Sequence, residues 1–248
     1  MLIDTHCHIH ESNYPLDIGD VIARARHHSV NQMICIGTSE QSSREAVEFA
    51  GNHEHIYASI GVHPHDTKDG YKAIWELIDD PTVVAVGEIG LDYFYTHSPR
   101  EVQIQALEAQ IQLALDHNKP VVFHVREAFD DFWPIFDNFS GIKGELHSFT
   151  DTKEQLDRAL TRGLYIGVNG ISTFTKDEAQ KEMFATIPIE RLLLETDAPF
   201  LTPVPFRGKV NEPAFVRSVA EHHAKIRGLS LDEIATVTTA NATALFAL

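Results

Sequence analysis

Eight short apolar runs rich in β-branched residues recur along the chain, separated by stretches of helical character. In 101–117, for example, Ile104, Leu107, Ile111 and Leu115 recur at helical spacing. Strands that alternate with helices form parallel βαβ units, and eight units in 248 residues fit a closed barrel better than an open sheet. We therefore predict an α/β fold, a TIM-type (β/α)8 barrel, with strands at 2–9, 32–37, 56–62, 83–89, 120–125, 143–149, 164–168 and 191–196.

The remainder of the chain indicates one domain over residues 1–248, since we find no repeat, low-complexity segment or linker. The segment 230–248 opens with Ser230 and carries Glu233 three residues later, a capping-box pattern that predicts an extra C-terminal helix.

Net charge limits the possible partners of the chain. The formal net charge of −16 would repel polyanions, which argues against broad, nonspecific binding of nucleic acid. Bound divalent cations would reverse that sign locally.

With only two cysteines, no leader pattern at the first residues and no apolar run near the ~18 residues of a membrane span, we expect a cytoplasmic protein. No heptad or apolar edge indicates an obligate assembly, which favours a monomer.

Ionisable residues stand at the ends of six predicted strands, where barrels of this type place their active sites. His6 and His8 end the first strand, and residues at i and i+2 share one face, so both imidazoles can bind one metal ion. Taken singly, each residue has an ordinary structural explanation, such as an ion pair or a helix cap. The other strand ends carry His63, Glu88, His124 with Arg126, His147, and Glu195 with Asp197.

The convergence of these residues on one rim favours a metal centre, because buried charges are costly unless they are paired or metal-bound. Imidazole and carboxylate ligands suit Zn, Mn or similar divalent ions. Glu88, from the middle of the set, is the natural bridging carboxylate of a site with two ions. The candidate ligands are His6, His8, Glu88, His124, His147 and Asp197.

Several blocks of the sequence together resemble the TatD family of metal-dependent hydrolases, within the amidohydrolase superfamily. They run in the family's order from the first residues to about Pro213. Asp151, where many members carry Gly, and the sparsely basic loop before Asn211 are modest departures. The blocks are Ile3-Asp4-Thr5-His6-Cys7-His8, Gly61-Val62-His63-Pro64, Val86-Gly87-Glu88-Ile89-Gly90-Leu91-Asp92-Tyr93, His124-Val125-Arg126-Glu127-Ala128, Leu146-His147-Ser148-Phe149, Leu194-Glu195-Thr196-Asp197-Ala198-Pro199 and Asn211-Glu212-Pro213.

The resemblance implies a distorted TIM barrel and hydrolysis of phosphodiesters, typically 3′→5′ exonuclease or DNase action on DNA. It implies two divalent ions, for which Mg, Mn and Zn all remain open. One ion would be bound by His6, His8, Glu88 and Asp197, and the other by Glu88, His124 and His147.

A mechanism follows as a hypothesis. Asp197 would orient or deprotonate a metal-held water, and Glu88 would hold both ions. Arg126 would hold a phosphate or carboxylate oxygen, or else form an internal salt bridge. His63 would donate a hydrogen bond to the substrate or support a metal ligand. Glu195 is a candidate for contact with the substrate, or it would support Asp197 or a metal ligand.

Other functions stay open on these residues. The same ions would activate water against an ester or amide, such as an aminoacyl ester of tRNA or a small cyclic amide. A barrel kept as a non-catalytic scaffold is a more distant alternative, against which the intact ligand set argues. The sequence also does not decide whether the substrate is DNA or RNA, or whether cleavage is by an exonuclease or an endonuclease.

Overall fold

The computed structural model describes residues 1–95 and 97–248. Its eight strands form one sheet in chain order, β1 to β8, and the recorded pairs are parallel. A parallel bridge between Cys7 and Ala198 also joins the end of β1 to the segment after β8. This is the strand order of a TIM-type (β/α)8 barrel, so the predicted fold class is confirmed. The strands are Leu2–Cys7, Val30–Ile36, Ile56–Ile60, Val83–Asp92, Val121–Arg126, Gly144–Leu146, Tyr165–Val168 and Leu192–Leu194.

Helices alternate with the strands as the periodicity predicts. The described residues form nine α-helices, α1 to α9, and the segments 101–117 and 230–248 correspond to α3 and α9. The capping box of Ser230 and Glu233 is present at the start of α9. Within the described residues, the helices lack the combined length and apolarity that crossing a bilayer requires. The helices are Ile18–His27, Glu40–Gly51, Arg100–Asp116, Phe129–Asp137, Lys153–Thr161, Ile171–Phe174, Glu178–Thr186, Val216–Arg227 and Leu231–Phe246.

The chain divides into two compact units, which we call the terminal unit (residues 1–34 and 147–248) and the central unit (residues 35–146). In the terminal unit, α9 packs against β1 and β8, and α8 packs against α9. In the central unit, α2 packs on β3 and α3 on β4. The single domain over residues 1–248 stays a prediction.

Strands β3, β4 and β5 approach one another unusually closely because glycines replace side chains at their contacts. A Cβ on Gly61 would lie 2.5 Å from the carbonyl carbon of Gly87, and one on Gly90 only 1.8 Å from the carbonyl oxygen of His124. The register of β4 against β5 also shifts between Gly87 and Ile89, which is a bulge at Glu88. Such an irregularity interrupts the alternation of side chains along the strand at Glu88.

A buried imidazole joins α8 to α6 in the terminal unit. Arg227 Nη1 donates to Nδ1 of His223 over 2.7 Å, so Nε2 of a neutral ring carries the proton and donates to Ser172 Oγ over 3.1 Å. Burial, together with the charge of Arg227, holds the pKa of His223 well below its usual value. The neutral ring is therefore part of the folded state.

We expect His223 to make the protein less stable in acid. Its pKa in the folded state is lower than the unfolded value of about 6.5, so below that pH the unfolded chain takes up a proton that the folded chain does not. The free energy of unfolding should then fall by up to about 1.4 kcal/mol per pH unit from this group. Chemical denaturation between pH 7.5 and 5 measures it.

His223→Gln should give a shallower pH dependence than the wild-type protein, and His28→Gln, which changes an exposed imidazole of the same unit, is the control. Identical slopes for wild type and His223→Gln would contradict the prediction.

Candidate metal centre

In the terminal unit, the end of β1 is fastened to the segment that follows β8. The carboxylate of Asp4 accepts hydrogen bonds from the backbone N–H of Thr196, over 2.8 Å, and from its hydroxyl, over 2.6 Å. The N–H of Asp197 donates to the carbonyl oxygen of His6 over 2.9 Å. These bonds bring the side chains of His6, His8 and Asp197 together at the barrel's strand ends.

The three side chains form a donor set suited to one divalent ion. His6 Nε2 lies 3.2 Å from His8 Nε2, and Asp197 Oδ1 lies 3.3 Å from His8 Nε2 and 3.8 Å from His6 Nε2. Two ligands bonded at about 2.1 Å to one tetrahedral or octahedral ion lie roughly 3.0–3.5 Å apart. The spacing therefore fits a shared ion, and we call His6, His8 and Asp197 the three-donor cluster.

Asp197 is held ionised in this cluster. Burial raises its pKa, but the hydrogen bond with His8 and the nearby imidazoles of His147 and His6 outweigh burial and bring the pKa below its usual value. Its backbone has a φ of 58°, in the left-handed region, as does Ser148 after the ligand candidate His147. Such conformations persist only where surrounding contacts enforce them, and they are frequent at functional sites.

His147 packs directly on the three-donor cluster. Its ring stacks on that of His6 with centroids 3.5 Å apart, and its Nδ1 lies 3.0 Å from Oε1 of Glu195. The same oxygen accepts hydrogen bonds from Ser148 N–H, over 2.9 Å, and from Asn169 Nδ2, over 3.1 Å. A carboxylate this close favours a proton on Nδ1, which would leave the lone pair of Nε2 for an ion.

Glu195 is fully buried behind the ring of His147. That position corresponds to support of a metal ligand, and it is unsuited to the contact with substrate for which Glu195 was also a candidate. Asn169, which the sequence did not single out, completes the support from the segment just before α6.

In the central unit, β4 and β5 bring a second donor group together. His124 Nε2 hydrogen-bonds to Asp92 Oδ2 over 3.0 Å, which directs the lone pair of Nδ1 towards Glu88. Nδ1 lies 2.8 Å from Glu88 Oε1. A lone pair that close to a carboxylate oxygen requires a proton or a cation, so these two atoms also suit a divalent ion.

Asp92 stays ionised although it is buried. Burial raises its pKa, but the hydrogen bond from His124 and the backbone N–H of Tyr95 hold the pKa far below the usual value. Asp92 thus supports His124 as Glu195 supports His147. The motif contained Asp92, but the sequence did not indicate this pairing.

His63 is arranged as a hydrogen-bond donor. The N–H of His65 donates to His63 Nδ1 over 3.1 Å, so the neutral ring carries its proton on Nε2, which lies 3.7 Å from Glu88 Oε1. Burial and the neighbouring His124 hold the pKa of His63 well below its usual value. Although His63 is close enough to join Asp92 and His124 as a ligand, this tautomer favours donation to a bound oxygen.

Arg126 is exposed to solvent, which favours the alternative of a contact with substrate over an internal salt bridge. Its guanidinium carbon lies 3.8 Å from the ring centroid of Phe94 and 5.1 Å from that of Tyr95. A guanidinium over aromatic faces gains cation–π energy and keeps its N–H groups in water. This position leaves the positive charge available to a ligand.

Two buried glutamines hold the loops that carry these residues. Gln110 bonds to both the N–H and the C=O of Val62, next to His63. Gln103, one heptad earlier on α3, accepts from Asp92 N–H and donates to the carbonyls of Asp92 and Ser98. The sequence did not single out these glutamines, because a polar amide in a helix is usually exposed to solvent. Their spacing of seven residues, on the apolar side of α3, could have indicated that both are buried.

Asp92→Asn should lower metal affinity by about 10–100-fold, the usual effect of losing a partner behind a histidine ligand. The amide keeps the shape, but it can present an N–H to His124 and reverse the ring's protonation. Calorimetric titration of metal-free protein measures the affinity. Asp116→Asn, an exposed substitution at the end of α3, is the control. Equal affinities in wild type and Asp92→Asn would contradict the supporting role.

Comparisons with known proteins show the family of this chain and support its fold. The family model described as TatD related DNase matches residues 3–247. The metal-dependent hydrolase YabD of Bacillus subtilis strain 168 is 38% identical over 252 residues, which cover 99% of this chain and 99% of the relative. The 3′-5′ ssDNA/RNA exonuclease TatD of Citrobacter rodentium is 35% identical over 258 residues, 100% of this chain and 98% of the relative. The crystal structure of YJJV, a TatD homologue from Escherichia coli K12, superposes with a TM-score of 0.92 at 29% identity, covering 100% and 98% of the two chains.

Proposed function

This chain belongs to the TatD related DNase family of metal-dependent hydrolases, and from that membership we propose that it removes nucleotides from the 3′ end of single-stranded nucleic acid. The observation that carries the proposal is the three-donor cluster, whose atoms have the spacing of ligands around one ion. The name of the Citrobacter relative, an ssDNA/RNA exonuclease, supports the choice of substrate.

We propose two divalent ions, of Mg, Mn or Zn. His6, His8, Asp197 and Glu88 would bind one, and Glu88, His124 and His147 would bind the other, with Glu88 contributing to both. Such ions lower the pKa of bound water and neutralise charge on a phosphate. The support of His147 by Glu195 and of His124 by Asp92 holds both rings in place for this purpose.

The remaining chemistry falls to side chains of this chain. Asp197, ionised at neutral pH, would orient the attacking water and accept its proton. His63 would donate its Nε2–H to a phosphate oxygen. Arg126, exposed beside β5, would hold the substrate by its charge.

A substrate held near one end fits the charge of the protein. With a net charge of −16, the chain offers few phosphate contacts for a long duplex. Local positive charge at the metal centre would bind one or two phosphates.

We further propose a cytoplasmic monomer, in keeping with the buried thiols of Cys7 and Cys35.

The test uses 5′-labelled single-stranded DNA and RNA with protein stripped by a chelator. On addition of Mg²⁺, Mn²⁺ or Zn²⁺, we expect stepwise shortening from the 3′ end, and no shortening without an added ion. No cleavage of either strand by protein that has bound its ions would contradict the proposal. Hydrolysis of an aminoacyl ester or a cyclic amide by the same protein would then identify the reaction.

A further inference from the structure

Two large aromatic side chains are exposed at the end of β4. Phe94 and Tyr95 are 48% and 43% exposed, and their rings meet edge to face with centroids 4.6 Å apart. Arg126 covers part of both rings from the end of β5. We call these three residues the Phe94 platform.

The Phe94 platform is tied to the metal centre by a shared carboxylate. Oδ1 of Asp92 accepts hydrogen bonds from the N–H groups of Phe94, over 3.0 Å, and Tyr95, over 3.1 Å. Its other oxygen, Oδ2, holds His124. One side chain therefore positions both a candidate metal ligand and the two aromatic residues.

The Phe94 platform begins two residues along β5 from the candidate ligand His124. Arg126 follows His124 by two residues on β5, and Asp92 pairs with Arg126 across the sheet. Two residues span about 7 Å along a strand. A phosphate held at His124 would thus have an attached base within reach of the Phe94 platform.

We propose that the Phe94 platform binds a nucleobase of the substrate strand by stacking, an inference that rests on the proposed function. Exposed aromatic faces beside a guanidinium are the elements with which proteins hold unpaired bases without reading sequence. In a chain of net charge −16, Arg126 also places a positive charge where the strand's backbone would lie. A paired base is stacked within its helix, so the platform selects single strands and frayed ends.

The test compares two substrates with two forms of the enzyme. One oligonucleotide is intact, and the other lacks the bases of its last two 3′ nucleotides while it keeps the phosphates. For the wild-type enzyme we expect a KM about 10-fold higher on the abasic strand. For Phe94→Ala/Tyr95→Ala, we expect the KM on the intact strand to rise about 10-fold, with kcat nearly unchanged, and the difference between substrates to disappear.

Further variants separate stacking from a structural effect. Phe94→Tyr keeps an aromatic face and should retain the wild-type preference for the intact strand. Phe94→Ala alone leaves Tyr95 on the ring of His65, 5.4 Å between centroids, and should lose part of the preference with the melting temperature and bound ions unchanged. Ile226→Ala, an exposed apolar residue on α8, is the matched control and should behave as wild type.

Two failures are distinguishable. If the wild-type enzyme shortens DNA but the alanine variants keep the full preference for the intact strand, the Phe94 platform does not bind a base and the proposed function stands. If the wild-type enzyme shortens neither strand, the proposed function fails and the inference with it.

Discussion

Asp197→Asn is expected to hydrolyse substrate about 10²–10⁴-fold more slowly than the wild-type enzyme, the range over which a positioned acid or base contributes. Asparagine has nearly the same shape as aspartate but carries no negative charge. It therefore cannot accept a proton, and it interacts less strongly than aspartate with His6 and His8. The low pKa of Asp197 indicates that the wild-type side chain is charged throughout the neutral range. Single-turnover rates at saturating substrate and ion concentration would measure this effect.

The control is Asp177→Asn, the same substitution at the exposed N-cap of α7. Asparagine caps helices as well as aspartate, so that variant should keep wild-type stability and rate. A rate for Asp197→Asn within about 10-fold of wild type would remove Asp197 from proton transfer and leave it at most a ligand.

Glu88→Ala is expected to retain one ion fewer than the wild-type protein and to react more than about 100-fold more slowly. Removing a proposed metal ligand should have a larger effect than removing a residue that only supports a ligand, such as Asp92. Its carboxylate lies 2.8 Å from His124 Nδ1, and a methyl group offers no donor there. Elemental analysis after dialysis, with rates on the same samples, measures both effects.

Glu76→Ala, which removes an exposed carboxylate of the same unit, should change neither quantity. If Glu88→Ala kept both ions and its activity, the bridging position would be wrong. If one ion was lost but the rate was unchanged, that ion would have no part in hydrolysis.

Strand periodicity and the spacing of His6 and His8 allowed the fold and one face of the site to be predicted from the sequence. Both depend on local geometry, since alternate residues of a strand must share a face. The capping box at Ser230 is local in the same way, and it was also correct. Such features need no knowledge of the neighbouring strands.

Support of a metal ligand was predicted for Glu195, but the rest of the supporting network could not be predicted, because it depends on contacts between distant segments. Asp92 and His124 are 32 residues apart in the chain, and Asn169 and Glu195 are 26 apart. The aromatic contacts of Arg126 could not be predicted either, because β5 ends at this residue and Glu127 adopts a φ of 53°. Strand alternation no longer holds beyond that point, and Arg126 lies on the rings of Phe94 and Tyr95.

Gln103 closes the base of the segment between Asp92 and Ser98 with one side-chain amide. A segment clamped at its base can change in sequence or length at small thermodynamic cost, about 0.6 kcal/mol for each doubling of loop length. The residues proposed to contact the substrate can therefore be exchanged by evolution or design while the carboxylate of Asp92 stays in place for His124. If the proposed function is correct, substrate range and ion binding can change separately in this barrel, because Gln103 on α3 holds both ends of the segment.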